Sequence, residues 1–350
     1  MGKPKIAVIY GGYSPEYEIS LKSAFSVISH MDKEKYEPVL LGITRMGEWY
    51  IFSGAIEKIG NDTWHNPRDC TRAIVSPDRE TKGVLVFYNS GIQTIRLDAA
   101  LPILHGKNGE DGTIQGLLTL AGIPIVGCDT LSSALCMDKD KAHKLVKIAG
   151  IRVPESFVLK NKSEIDQALS QAECIGYPLF VKPVRAGSSF GISKVLSKHE
   201  LPTAIKLAFE YDSEIIVEES IDGFEVGCAV LGNESLIVGQ VDEIELTGGF
   251  FDYKEKYNLE ASTIHVPARI ATHKADEIRE MAKEIYKALG CNGFARVDMF
   301  LTPTGEVIFN EANTIPGFTA YSRYPNMLKA IGMTFEQIVD EIINLAVITK

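Results

Sequence analysis

The chain has 350 residues, 45% of them apolar and 23% charged, with a formal net charge of −10 distributed along its length. That length predicts two or three domains, and the composition excludes a disordered chain. The diffuse acidity argues against nucleic acid or an anionic membrane as partner, since both need clustered Lys and Arg.

In chain order, KIAVIYGG (5–12) reads as a buried strand running into a Gly–Gly turn, with Ser14 and Pro15 as the N-cap and first residue of a helix. YEPVLLGIT and LDAALPIL read as further strands and GTIQGLLTLAG as a helix; 46–96 is polar and irregular. This alternation predicts a doubly wound parallel sheet over 1–138. MDKDKAHKLVKIAG reads as a helix closed by Gly150, YPLFVKPV as a strand leading into the loop RAGSSFGIS, and SEIIVEESI as another strand. These make a small α+β unit over 139–222. A second α+β unit over 223–350 holds the strands EVGCAVLG and SLIVGQVDEIEL, the helix HKADEIREMAKEIYKALG, and ARVDMFLTPTGEVIFNEANT, folded at Thr304–Gly305. The six cysteines form no C-x-x-C pair and read as free thiols. There is no signal-peptide pattern and no apolar run near the roughly 18 residues that span a bilayer. A cytoplasmic protein is expected.

Two groups of residues carry chemistry. The loop 185–193 is small enough for its backbone N–H groups to approach phosphate, and Lys139, Lys182 and Arg185 place cations beside it. Arg296 and Asp298 on one strand, Glu311 and Asn313 on the next, are each spaced by two, so the four side chains share a face. Three oxygen ligands on rigid strands suit Mg²⁺. The rival reading is a cross-strand ion pair of Arg296 with Glu311, against which Asn313 counts, because an amide adds nothing to such a pair.

The order of these motifs resembles the ATP-grasp enzymes, and the segments GGYSPEYEISL, LHGKNGEDGTIQG, SSALCMDK, VKPVRAGSSFGISKV, FFDYKEKY, GFARVDMF and NEANTIPGFT resemble the D-alanine–D-alanine ligase family from end to end. The resemblance implies ATP between the central and C-terminal domains, with Lys139 and Lys182 on its phosphates. Glu218, Glu219 and Ile221 belong to the strand facing adenine, Glu225 takes the ribose, and Lys256 reaches the γ-phosphate. It implies two Mg²⁺ ions, or Mn²⁺, on Asp298, Glu311 and Asn313. Glu16 receives the ammonium of the first D-amino acid and links with Ser188 and Tyr257; His105 lies near that substrate; Arg296 and the Gly317 N–H face the reacting carboxyl. The product is a peptidoglycan precursor made through a D-alanyl phosphate, and the enzyme is expected to be a homodimer.

Ser322–Arg323 and Asp242 depart from the housekeeping pattern and are similar to the vancomycin-resistance ligases, most of all the VanG-type D-alanine–D-serine enzymes. The D-lactate type carries a histidine where this chain keeps GGFFDYKEKY. Arg323 and Asp242 are expected to form a polar wall for the D-serine hydroxyl, with Phe251 packed over the loop. A housekeeping D-alanine–D-alanine ligase is the alternative; another carboxylate–amine ligase and a nucleotide-binding regulator are the remaining rivals.

Overall fold

The computed structural model describes residues 2–161, 164–187, 190–246 and 262–347. The first unit runs β1 (Lys5–Gly11), α1 (Tyr17–His30), β2 (Glu37–Ile43), β3 (Trp49–Phe52), α2 (Glu57–Gly60), β4 (Cys70–Val75), β5 (Gly83–Tyr88), β6 (Gly91–Arg96), β7 (Ala99–Ile103) and α3 (Thr113–Leu120). Its sheet has the order β6-β5-β4-β3-β2-β1-β7. β1 is the apolar centre, parallel to both β2 and β7, as a strand covered on both faces should be. Beyond β2 the sheet continues antiparallel. That extension is the segment read as irregular. Its outermost strand, GIQTIR, is exposed along nearly its whole length and so carries no apolar pattern to read. α1 begins at Tyr17 rather than at Pro15. The Ser14 hydroxyl accepts from the Glu16 N–H (3.1 Å) and closes a turn before the helix, which leaves Glu16 at the N-cap with its side chain directed elsewhere.

The middle of the chain runs α4 (Thr130–Met137), α5 (Lys139–Ile148), β8 (Ser156–Leu159), α6 (Ile165–Ile175), β9 (Leu179–Pro183), β10 (Ser193–Val195), α7 (Leu201–Ala208) and β11 (Ile215–Glu219). Asp129 and Asp138 cap α4 and α5 through backbone N–H groups of Ser132 and Lys141. The strands form an antiparallel sheet, β10-β9-β11-β8, backed by α6 and α7.

The third unit holds β12 (Phe224–Leu231), β13 (Ile237–Val238), β14 (Asp242–Leu246), β15 (Ser262–His265), α8 (Thr272–Ala288), β16 (Phe294–Leu301), β17 (Val307–Asn313), α9 (Arg323–Lys329) and α10 (Phe335–Val347). SLIVGQVDEIEL, read as one strand, is broken into β13 and β14. At the break Gln240 N–H donates to the Met327 carbonyl, and a Cβ on Gly239 would lie 2.9 Å from the Met327 backbone. The last two helices return to the first unit: Phe318, Tyr324, Phe335, Ile338 and Ile342 share one core with Val8, Leu21, Val27 and Leu101. No helix among the described residues is long and apolar enough to cross a membrane.

Candidate active site

A cleft of about 410 Å³ opens between the second and third sheets, lined by Lys139, Lys182, Glu218, Glu219, Ile221, Glu225 and Glu311 among others. Seven residues assigned from sequence to nucleotide or metal therefore face one space. Lys182 on β9 is ion-paired with Glu218 on the neighbouring β11, and Lys139 Nζ donates to the Ala186 carbonyl (2.9 Å), tying the start of α5 to the Gly/Ser loop. Glu218 Oε2 is buried with no partner among the described residues. An orphaned acceptor in an enclosed cleft is costly unless a donor arrives, and the exocyclic amino group of adenine is such a donor, so the cleft fits a nucleotide. One expectation needs correcting. Arg185 does not line the cleft: Asp212 and Glu214 hold its guanidinium at the surface. The Glu219 N–H donates to the Glu155 carbonyl (2.8 Å). Lys194 also lines the cleft, and nothing in its sequence context distinguishes it from a surface lysine.

The third sheet provides the floor. Register places Asp242 beside Gly227, Gly227 beside Asp298, and Asp298 beside Glu311, a row across β14, β12, β16 and β17; Arg296 lies beside Asn313 in the adjacent row. Arg296 pairs along its own strand with Asp298 (2.7–3.0 Å), not with Glu311 as the rival reading had it, and Asn313 Nδ2 donates to Asp298 (2.9 Å). Arg323 reaches the same row from α9. It grips Asp242 through Nε and Nη2 (2.7 and 2.8 Å), donates to Glu225 through Nη1 (2.8 Å), and brings Nη2 within 3.3 Å of Asp298. Asp242 is wholly buried and Arg323 is 8% exposed. Burial works against the charge on Arg323, but Asp242, Asp298 and Glu225 outweigh it and hold the guanidinium well above its ordinary pKa. Among the described residues, the carboxylates of Glu225, Asp242, Asp298 and Glu311 and the guanidiniums of Arg296 and Arg323 gather along this row. Among the described residues no three His, Cys, Asp or Glu side chains are grouped to hold a metal. Two carboxylates and an amide oxygen on adjoining strands nevertheless fit a hard divalent cation that keeps water and phosphate in its shell.

The residues expected around the first substrate lie beside this floor. The Glu16 carboxylate is buried against Gly106 and Gly187, whose missing side chains make room for it. His105 is buried, its Nδ1–H donating to the Ile315 carbonyl (2.9 Å) and its Nε2 lying 3.2 Å from the Ser23 hydroxyl. Burial first, with a smaller contribution from Arg296 and against the hydrogen bond to Ile315, lowers its pKa to about 4, so the ring is neutral at pH 7 and holds the loop after β17. In that loop Gly317 packs against Ser322, whose hydroxyl is bonded to the Thr319 N–H and hydroxyl. Glu110 was missed by sequence reasoning. Its carboxylate accepts from the Gly106 N–H (2.7 Å). Burial first, then the charges of Glu16 and Glu311, push it up to about 8. The only hint in the sequence is an acid set among glycines in GKNGEDG. Ser188, Phe251, Lys256 and Tyr257 lie outside the described residues.

Glu110 carries a stability prediction. A carboxyl held near 8 in the fold and at 4.5 unfolded stabilises the protein at low pH, and this contribution is lost as pH rises from 4.5 to about 8. Glu110→Gln removes the decline, so in thermal melts without substrates the variant should gain Tm relative to wild type at pH 8 and not at pH 5. Parallel Tm curves from pH 5 to 8.5 would contradict this.

Comparison with known proteins agrees with the geometry. The family described as D-ala D-ala ligase N-terminus matches residues 5–128, and D-ala D-ala ligase C-terminus matches 145–344. The crystal structure of the VanG D-Ala:D-Ser ligase from Enterococcus faecalis is 58% identical, with a TM-score of 0.93 over 99% of this chain and 100% of that one. The vancomycin B-type resistance protein VanB of Enterococcus faecalis is 46% identical over 99% of both chains. A D-alanine–D-alanine ligase of Caldicellulosiruptor bescii is 44% identical over 99% of this chain and 96% of its own. The chain belongs to the D-alanine–D-alanine ligase family, as an ATP-dependent D-alanine–D-X ligase of the three-domain ATP-grasp fold.

Proposed function

We propose that the chain is a D-alanine–D-serine ligase, making the D-Ala-D-Ser terminus of modified peptidoglycan precursors and so serving vancomycin resistance. The observation that carries the reading is the buried Arg323–Asp242 pair. Two charges taken out of water cost free energy that a plain apolar wall would not, and Asp242 and Glu225 accept from three of the guanidinium's five N–H groups, with Asp298 3.3 Å from Nη2, which among the described residues leaves an N–H on Nη1. A D-serine hydroxyl completes such a site; a D-alanine methyl leaves it short of a partner, at about 1–3 kcal/mol. The solved relative titled as a D-Ala:D-Ser ligase supports the same reading, as does the intact DYKEKY segment.

The chain's residues have separable tasks in this reaction. Lys139 and Lys182 bind the phosphates of ATP, and Glu218, Ile221 and Glu225 hold the nucleoside. Glu16, beside Glu110, takes the ammonium of the first D-alanine and fixes which carboxyl is presented. Arg296 and the Gly317 N–H hold that carboxyl and stabilise the oxyanion that forms when the second amine attacks its phosphorylated form. Asp298, Glu311 and Asn313 would hold Mg²⁺, which offsets charge moving off the γ-phosphate. By the family resemblance, Lys256 is assigned to the γ-phosphate, and Ser188 and Tyr257 to a link with Glu16. We place domain boundaries at 138/139 and 222/223, and expect a homodimer.

The test is phosphate release with product mass, using D-alanine alone, D-alanine with D-serine, and D-alanine with D-lactate. D-Ala-D-Ser as the main product from equal D-alanine and D-serine is expected. Unchanged D-Ala-D-Ala output on adding D-serine would assign the housekeeping reaction, and a depsipeptide product the D-lactate one.

A further inference from the structure

Gly227 is an anomaly in its strand. It sits in the interior of β12, within FEVGCAVL, where a glycine costs strand stability and offers nothing to pack. Its backbone is not in the left-handed region that would call for glycine. What it lacks is therefore a side chain, and what stands in the vacated volume is the guanidinium of Arg323. A Cβ built on Gly227 falls inside van der Waals contact with Arg323 Nη2, 2.7 Å from Asp242 Oδ1 and 2.9 Å from Asp298 Oδ1. The three nearest atoms belong to the ends of three side chains on three different elements: α9, β14 and β16.

We infer that Gly227 is a specificity-determining position: the bare strand is the seat that lets Arg323 lie flat between Asp242, Glu225 and Asp298, and so joins the second-substrate wall to the nucleotide and metal carboxylates. This deepens the D-serine reading and rests on it for the substrate named. The guanidinium touches Asp242 on one side, Glu225 in the nucleotide cleft on the other, and Asp298 between them. Any side chain at 227 must displace these groups. Since they are side-chain tips, the fold absorbs an alanine by evicting Arg323 rather than by moving backbone. Arg323 then loses its grip on Asp242 and Glu225 together. A guanidinium at 323 thus requires glycine at 227, whereas an aliphatic residue at 323 leaves room for a methyl group.

The test is a double-mutant cycle of Gly227→Ala and Arg323→Leu, reading the D-serine to D-alanine ratio of kcat/KM, the KM for ATP, and thermal melting. Gly227→Ala alone should lower the D-serine to D-alanine ratio and raise the KM for ATP, each by roughly ten-fold, the scale of losing a charge-assisted hydrogen bond. The double variant should be no worse than Arg323→Leu alone in either quantity, because the methyl enters a space already vacated. If Gly227→Ala does not fold while the double variant does, the clash is with Arg323 and the inference stands. Additive effects, or a double variant that also fails to fold, would overturn it by making 227 a plain packing position. If Arg323→Leu leaves the D-serine to D-alanine ratio unchanged but both single variants raise the ATP KM non-additively, the D-serine reading fails and the seat survives.

Discussion

Arg296→Lys should lower kcat by about 10²- to 10³-fold while changing the KM for ATP little, because the role proposed for Arg296 is to stabilise the oxyanion that forms when the second amine attacks. Its strand fixes Arg296 in place. It lies on β16 opposite Asn313, and two nitrogens of its planar fork engage both oxygens of Asp298 at 2.7–3.0 Å. Burial opposes its charge, Asp298 restores it, and the balance keeps it above the ordinary guanidinium value. Lysine keeps one positive charge beside Asp298 but presents a point charge in place of a fixed fork, so the fold should survive while alignment on the substrate carboxyl is lost. The measurement is steady-state kinetics with saturating ATP and both D-amino acids, alongside a thermal melt. A Tm near wild type with kcat reduced a hundred-fold is the expected result; kcat within three-fold of wild type would remove Arg296 from the reacting centre.

Arg323→Leu should invert substrate choice, cutting kcat/KM for D-serine relative to D-alanine by about 10- to 100-fold. Two effects add. The wall loses its donors to the hydroxyl, and leucine supplies an apolar surface that a methyl group fills without an unpaired partner. Asp242 is left buried without its cation, which costs stability; Asp242→Asn in the same chain should recover Tm without recovering D-serine preference. Because Arg323 also holds Glu225 at 2.8 Å, the ATP KM should rise in the same variant. A specificity ratio that does not move shows that Arg323 serves structure alone.

Much of this site was readable in one dimension because its parts are set by local periodicity. Residues two apart on a strand share a face, so Arg296 with Asp298 and Glu311 with Asn313 declared themselves before any fold was known. Lys182 at a strand end and Lys139 at a helix start were legible for the same reason, as was the hairpin at Thr304–Gly305, whose glycine has φ +84°. What periodicity does not carry is which neighbour a charge chooses. Arg296 had two carboxylates within reach and took the one on its own strand. Arg185 looked like a phosphate ligand and is held by Asp212. Glu110 shows nothing in sequence of the two carboxylates that share its space. Of the antiparallel strands in 46–96, β6 escaped because an exposed strand carries no apolar signal, whereas β3, β4 and β5 bury Phe52, Ala73, Val75, Val84 and Val86 in runs of only four to six residues, read as irregular. The sequence by itself determined the secondary elements that present the chemistry and the face on which each reactive group stands, because those follow from backbone geometry repeated every two or 3.6 residues. The pair of Arg323 with Asp242 was expected from the resemblance; the tertiary structure alone decided that α9 would lay Arg323 across a bare glycine to meet Glu225 and Asp298 as well, because that depends on contacts distant in sequence and on volume left empty rather than on any residue present.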